Sequence, residues 1–418
     1  MSSSITARSI VSPAAARVTL LILTLLNFFN YIDRSILFAV QPQVQAEFHC
    51  SDRQIGLLTS AFFFTYMCFA PFVGPLADRF TRKYIMAIGA IVWSVATLLT
   101  AVTHSYDVLL FRHAIVGIGE ATFVTITPSF VSDLFPEEKR ARIMAIFYMA
   151  IPVGTAIGYL VGGYLGHRHG WRMPFYVCAI PGMIMGLLLL LVPEPVRGSH
   201  DTIVATHERS SFLGLFRNGA FWTCSLGMAM MTFAVGGLQV WMPTFLNRMR
   251  EIPLDAANFR FGLLTVVGGL AAAFAGGWLG DRMLKRSAGA YYLVSGIGMA
   301  VCLPFMIVAI TAKGPIMYVA ILLAEFFILL NTAPLNAALV NSVSANIRST
   351  AVAVNLFTIH LLGDAFSPTI IGWISDKTNL QVGFIPTVVA VILSAVILFI
   401  GIRTAPKISI AGSTGAHA

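Results

Sequence analysis

The chain is 418 residues long, 57% apolar and only 11% charged, with a formal net charge of +9. Soluble domains carry roughly 25% charged residues, so a fold that has water as its main solvent is excluded. The placement of the bases, described next, makes the positive charge a record of topology and not a nucleic-acid-binding surface.

A helix that crosses about 30 Å of hydrocarbon needs roughly 20 apolar residues. Such runs lie at 17–40, 55–77, 83–103, 107–131, 141–166, 172–192, 219–246, 258–280, 289–311, 315–341, 349–374 and 383–403. They predict an all-α membrane protein of twelve transmembrane helices. With the N-terminus placed in the cytoplasm, 17 of the 27 Lys and Arg fall in the tails and inner loops, 8 fall outside, and Arg34 and Arg112 lie within spans. This asymmetry predicts that both termini are cytoplasmic, and the expected location is the cell (inner) membrane. Arg8 and Arg17 precede the first span, and Pro13–Ala16 lies before the apolar run, where a signal peptidase site would not be, so the first helix is expected to be retained. The five cysteines are scattered and suggest neither a disulfide framework nor a metal site.

The one long polar interruption, 193–217, predicts a cytoplasmic linker between an N-terminal half (1–192) and a C-terminal half (218–418). A hexad of Gly, any residue, Leu or Ile, a small residue, Asp or His, and a base recurs at 74–79, 163–168, 277–282 and 372–377, with Pro75 and Tyr164 among the variable residues. The first and third copies are 203 residues apart and close an inner loop; the second and fourth are 209 apart and close an outer one. Each half therefore reads as a three-span unit followed by an inverted copy, the nested repeat of transporters. On the inner face the Gly is expected to allow close helix approach and the Asp to cap the start of the next helix or of a neighbour, while Arg79, Arg82 and Lys83 snorkel to the headgroups. Asp78 and Asp281, with Arg282 beside the latter, are candidate gate groups. Gly74, Asp78, Arg79 and Arg82 resemble the signature loop between spans two and three of the major facilitator superfamily.

An ionisable group at mid-bilayer costs about 2.5 to 3.5 kcal/mol, so it is a functional candidate by default. Asp33, Arg34, Arg112, His113 and Glu120 qualify in the first half. Asp33 follows Asn27, Asn30 and Tyr31, a polar stretch that needs a cavity or a partner; a local pair with Arg34 is the bland alternative. Glu120 sits mid-span after Gly117 and Gly119, which let another helix come close. His113 is seven residues from Glu120 and within roughly 20° of the same helix face, whereas Arg112 is about 80° away. Arg112 is therefore either a cavity group or an interfacial arginine, and His113 either exchanges protons or is simply packed. The aromatic run Phe62-Phe63-Phe64 with Tyr66 and Phe69 can border an apolar chain or face lipid. Gly154, Gly158 and Gly162 form a stripe in span five that permits tight packing. In the second half Glu325 is mid-span with no charged neighbour, and His360 and Asp364 are four apart on one face. Gln239, Asn331, Asn336 and Asn355 suit a polar headgroup or helix-to-helix bonds.

Taken together, Asn30-Tyr31-Ile32-Asp33-Arg34, the 74–83 loop, Val116–Ala121, Ser132–Phe135 and Ile146–Gly154 resemble the Spinster family of facilitator transporters, most closely over residues 27–198. The resemblance implies alternating-access transport of a lysophospholipid or sphingoid phosphate, proton-coupled in some members, with Asp33 and Glu120 as the proton-linked acids. One departure stands out: the family places an arginine seven residues before the glutamate, where this chain has His113, its arginine standing one place earlier at Arg112. If His113 has taken over, the cavity carries less fixed positive charge for a phosphate.

The expected function is thus a monomeric secondary transporter of an amphipathic anion, with protons and membrane lipids as further partners and no nucleic acid or cofactor. The alternative is a facilitator for a small organic anion or hydrophobic drug. A receptor without flux is a further class. An enzyme lacks its motifs: there is no zinc-binding His/Glu helix, no Gly-x-Ser-x-Gly elbow and no phosphate loop.

Overall fold

The computed structural model describes residues 11–199, 212–284, 287, 289–343 and 347–405. Residues 200–211 of the expected linker, residues 1–10 and 406–418 of the tails, Lys285 and Arg286 lie outside the described residues. The first half comprises α1 (Pro13–Phe48), α2 (Asp52–Arg79), α3 (Arg82–Thr100), α4 (Tyr106–Leu134), α5 (Glu137–His169) and α6 (Met173–Leu191). A short α7 (Phe212–Phe216) leads to α8 (Gly219–Arg250), α9 (Leu254–Leu284) and α10 (Ala290–Thr311). The last three spans are divided: α11 (Pro315–Leu329) with α12 (Thr332–Asn341), α13 (Arg348–Ile359) with α14 (Ser367–Lys377), and α15 (Leu380–Gly383) with α16 (Ile385–Thr404). Among the described residues there is no strand, and twelve helical segments are long and apolar enough to cross a membrane. In hydrocarbon a helix satisfies its own backbone, which is why apolar length alone locates the spans.

Polar residues set the boundaries. Ser51 starts α2 with a reciprocal capping box: its hydroxyl accepts from the Gln54 N–H, and the Gln54 side chain accepts from the Ser51 N–H. His49, at φ 51°, ends α1 in the left-handed conformation. Between α13 and α14 the chain forms a π-helical turn, His360–Asp364, in which Gly363 leaves helical geometry (φ −103°, ψ −107°). Such turns mark places where a helix is bent for a purpose other than spanning.

The chain divides into two compact units. The first contains Met1–Thr206, Val235–Leu270 and Asp364–Thr387; the second contains His207–Ala234, Ala271–Gly363 and Val388–Ala418. The first unit therefore combines the N-terminal six helices with one end of α8, one end of α9 and the α14–α15 segment from the second half. Its glycine stripe packs α5 on α1: a methyl group at Gly154, Gly158 or Gly162 would come within 2.6 Å of the Phe28 carbonyl oxygen, the Ser35 Cβ or the Ala39 Cβ respectively. A second seam joins α2 to α14, where a methyl at Gly56 would lie 2.3 Å from the Pro368 carbonyl oxygen and one at Gly372 2.2 Å from that of Asp52. In the second unit Ala272, Val294 and Leu330 form a buried apolar cluster, with Gly276 against the Leu330 backbone. Tyr292 Oη donates to the Ala220 carbonyl at 2.7 Å.

Candidate functional site

In the first unit α1 lies against α5 and brings its polar stretch to the buried face of α4. Asn27 Nδ2 donates to the Phe147 carbonyl at 3.0 Å, tying α1 to α5. One turn on, Asn30 stands beside Glu120. Arg34 Nε then donates to Glu120 Oε2 at 2.6 Å, in an ion pair whose glutamate is fully buried. The guanidinium sits in an aromatic box, 4.9 Å from the Tyr31 ring centroid, 4.8 Å from Phe62, 5.9 Å from Phe63 and 5.6 Å from Tyr66. Cation–π attraction adds to the pair where water is scarce. The three aromatics from α2 are therefore drawn inward, while Phe64 remains 52% exposed.

Asp33, the neighbour of Arg34 in sequence, points elsewhere. It is buried, faces Thr97 of α3, and lies close enough to Glu120 to feel its charge, yet neither of its oxygens reaches hydrogen-bond geometry with the protein. A small cavity runs between Asp33 and Arg34, lined further by His113, Thr59, Thr97, Thr100 and the rings of Phe38, Phe62, Phe63 and Phe175. His113 is buried there, its ring 5.9 Å from that of Phe62. The cavity thus presents one carboxyl, one arginine already answered by the Glu120 carboxylate, an imidazole and an aromatic wall. Asp364, at the end of the π-helical turn, is buried in the same unit and near enough to Tyr31 and Tyr66 to act on both electrostatically.

Arg112 is not in this group. It donates to the Leu99 carbonyl and the Thr103 hydroxyl, closing the C-terminal end of α3. Adjacent positions on α4 are about 100° apart, so His113 turned into the cavity sends Arg112 out of it. Glu325 belongs to the second unit, buried on α11 with Oε2 unpartnered. Asn331 and Asn336 donate to carbonyls of their own segment, Phe327, Ile328 and Thr332. Arg34 as the partner of Glu120 is a role that sequence spacing does not announce: the two are 86 residues apart.

The hexads behave differently from one another. Around the first, Arg82 is 4% exposed and does not snorkel: its guanidinium binds Asp133 Oδ2 at 2.5 Å and Glu194 Oε1 at 3.0 Å. The carboxylates of buried Asp133 and half-buried Glu194 beside the loop explain the difference, because they offer the cation a better partner than headgroups. Lys83 Nζ donates to the Leu190 and Val192 carbonyls, and Arg197 of the linker donates to the carbonyls of Ala77, Asp78 and Phe80. Asp78 and Arg79 are exposed. Thr81, not Asp78, is the N-cap residue of α3, and it makes no side-chain cap bond. No close approach occurs at Gly74 or Gly277, where an added methyl would meet nothing within 4 Å among the described residues. Asp281 accepts from Tyr291 Oη at 3.2 Å, and Arg282 lies over the Trp278 ring at 5.4 Å. Such contacts occur instead at the second and fourth copies: Gly163 abuts Asn258, Gly372 abuts Asp52, and Asp376 accepts from the first N–H groups of α2.

Residues 23–368 match the family model of the Major Facilitator Superfamily. Among curated proteins, the chain is 35% identical to Protein spinster homolog 3 of Danio rerio, over 88% of this chain and 78% of that protein. It is 34% identical to Protein spinster homolog 1 of Homo sapiens, over 88% and 74%. Among solved structures it superposes with a TM-score of 0.85 and 25% identity, over 94% of this chain and 98% of the other, on a bacterial homologue of the human lysosomal transporter Spinster in an inward-facing, unoccupied conformation. With most of its length matched in sequence and in fold, the chain belongs to the Spinster family of the Major Facilitator Superfamily and is a membrane transporter, not an enzyme.

Proposed function

We propose that the chain is a proton-coupled secondary transporter that works by alternating access and moves an amphipathic lipid such as a lysophospholipid or sphingoid phosphate. The observation that carries this reading is the Arg34–Glu120 pair beside Asp33, its glutamate buried and its arginine lining a cavity with one aromatic wall. While Glu120 is ionised it holds Arg34; a proton on Glu120 releases the guanidinium, leaving a cation that a substrate's anionic head can take. Asp33 is the acid that lines the cavity beside Arg34, so proton and headgroup compete over one short stretch of α1. The aromatic wall suits the first methylenes of an acyl chain. Asp364, beside Tyr31 and Tyr66, extends the acidic lining, and Glu325 is a candidate proton carrier of the second unit. Arg112 has no part in this reading as it stands, and Asp78, Arg79, Asp281 and Arg282 remain gate groups. On this reading both termini are cytoplasmic and the transporter acts as a monomer.

The cavity also favours a second reading. Its arginine is already neutralised and His113 stands where the family has arginine, so a hydrophobic drug or a small organic anion would meet little fixed positive charge. Proteoliposomes with a trapped pH dye separate the two. Lysolipid addition is expected to move protons in the unaltered protein, and Glu120→Gln to abolish the pH dependence of flux. Coupling that survives in Glu120→Gln removes the proton role, and a substrate competed by short carboxylates but not by lysolipids removes the lipid.

A further inference from the structure

At the end of the first unit formed by the odd loops, those that follow an odd-numbered span, a set of charge-assisted bonds ties the start of α2 to two segments of the second half. Asp376, the acid of the fourth hexad, accepts the Asp52 backbone N–H on Oδ1 at 2.7 Å and the Arg53 N–H on Oδ2 at 3.0 Å. These N–H groups lack helical partners and carry the positive end of the α2 dipole, so a carboxylate is a favoured occupant. The Asp52 side chain answers in turn. Its Oδ2 accepts from Ser375 Oγ at 2.6 Å, and its Oδ1 accepts from Arg248 Nη1 at 2.7 Å and from Gln45 Nε2 at 2.8 Å. Further along the seam Ser60 and Thr369 hydroxyls bond at 2.6 Å. Gly56 and Gly372 remove the side chains that would keep α2 and α14 apart.

The bonds made by Asp376, Ser375 and Arg248 join α2 of the first half to α14 and α8 of the second, so the odd-loop ends of the halves cannot part while they hold. The hexads show the same asymmetry. The two copies at odd loops have their glycines packed against a neighbour, and the two at even loops have theirs in open space. We propose that Asp376, with Asp52 and Arg248, is a latch that holds the odd-loop side closed and is broken once in every transport cycle. The inference rests on the alternating-access part of the proposed function and is independent of cargo and proton.

The test uses the full-length chain in lipid nanodiscs, with its cysteines replaced and spin labels at Asp107→Cys and Asn379→Cys, both exposed residues at odd loops. Double electron–electron resonance reads the distance between them. Loss of a charge-assisted bond is worth roughly tenfold in an equilibrium, so Asp376→Asn is expected to raise the ratio of long to short distances about tenfold or more. Arg248→Gln is expected to shift it in the same direction by less, and supplies the measurement should the first variant fail to fold. If the parent protein moves between two distances and neither variant changes their balance, the latch is overturned, even if melting temperature falls. If the parent shows a single distance at every pH and with every lipid added, alternating access itself fails.

Discussion

Two kinds of seam occur in the first unit, made with the same chemistry. One lies within the N-terminal half and the start of the linker: the α5 glycines against α1, and Arg82 held between Asp133 and Glu194. The other crosses between halves: Gly56 and Gly372 between α2 and α14, and Asp376 on the start of α2. Both bring backbones together through glycine and fix them with carboxylates. The difference is what a working cycle demands of them. A contact between helices of one half can persist throughout, whereas a contact between halves at one end has to open for that end to admit a solute. Depth of burial follows this division: Arg82 is 4% exposed, whereas the Arg248 side chain in the crossing cluster is 31% exposed, within reach of the water that must replace its partner.

The sharpest way to break this comparison is to cut the permanent seam. Arg82→Ala leaves Asp133 buried without its cation, which costs about 3 to 5 kcal/mol. The expected outcome is loss of folded protein, read as a collapse of the monodisperse peak in detergent. Folded Arg82→Ala with altered conformational balance would instead place Arg82 among the moving parts. Next in size is Gly158→Leu. A Cβ there lies 2.6 Å from the Ser35 Cβ and 2.8 Å from the Ile32 carbonyl, so overpacking of about 1 to 3 kcal/mol is expected. It should appear as a lower melting temperature with the balance between transport states unchanged.

Much of this was legible without coordinates, and for a physical reason. Hydrocarbon demands apolar length and punishes bare charge, so the spans and the standing of Asp33, His113 and Glu120 as buried groups can be read from windows and periodicity. The hexads announce themselves by repetition. Pairing is another matter. Arg34 reaches Glu120 across the crossing of α1 and α4, and neither spacing nor composition carries that geometry. Arg82 looked like a headgroup-seeking base because its partners, Asp133 and Glu194, stand 51 and 112 residues away. Of the adjacent pair Arg112 and His113, one must face inward, and helix packing decides which. The π-helical turn before α14 left no trace in the apolar pattern of span eleven, yet it sets where Asp364 lies.

Two smaller changes sharpen the comparison. Gly56→Ala places a methyl 2.3 Å from the Pro368 carbonyl oxygen, a strain of about 1 to 3 kcal/mol that exists only while α2 and α14 are closed. It should therefore move the labelled distance distribution in the direction expected of Asp376→Asn, with the melting temperature nearly unchanged. The opposite pattern, lost stability without a population shift, would make the α2–α14 seam as permanent as that of α5.

The smallest effect is expected at Arg112. Its bonds to the Leu99 carbonyl and the Thr103 hydroxyl join α4 to the end of α3, both within the N-terminal half. Arg112→Ala should then cost about 0.5 to 1.5 kcal/mol of stability and leave flux and its pH dependence unaltered, whereas His113→Ala changes the lining of the cavity and should alter both. Proteoliposome flux measured across pH for the two variants decides the matter. Flux lost in Arg112→Ala but retained in His113→Ala would mean that Arg112 leaves α3 during the cycle to enter the cavity, and a tie within one half would join the breakable class.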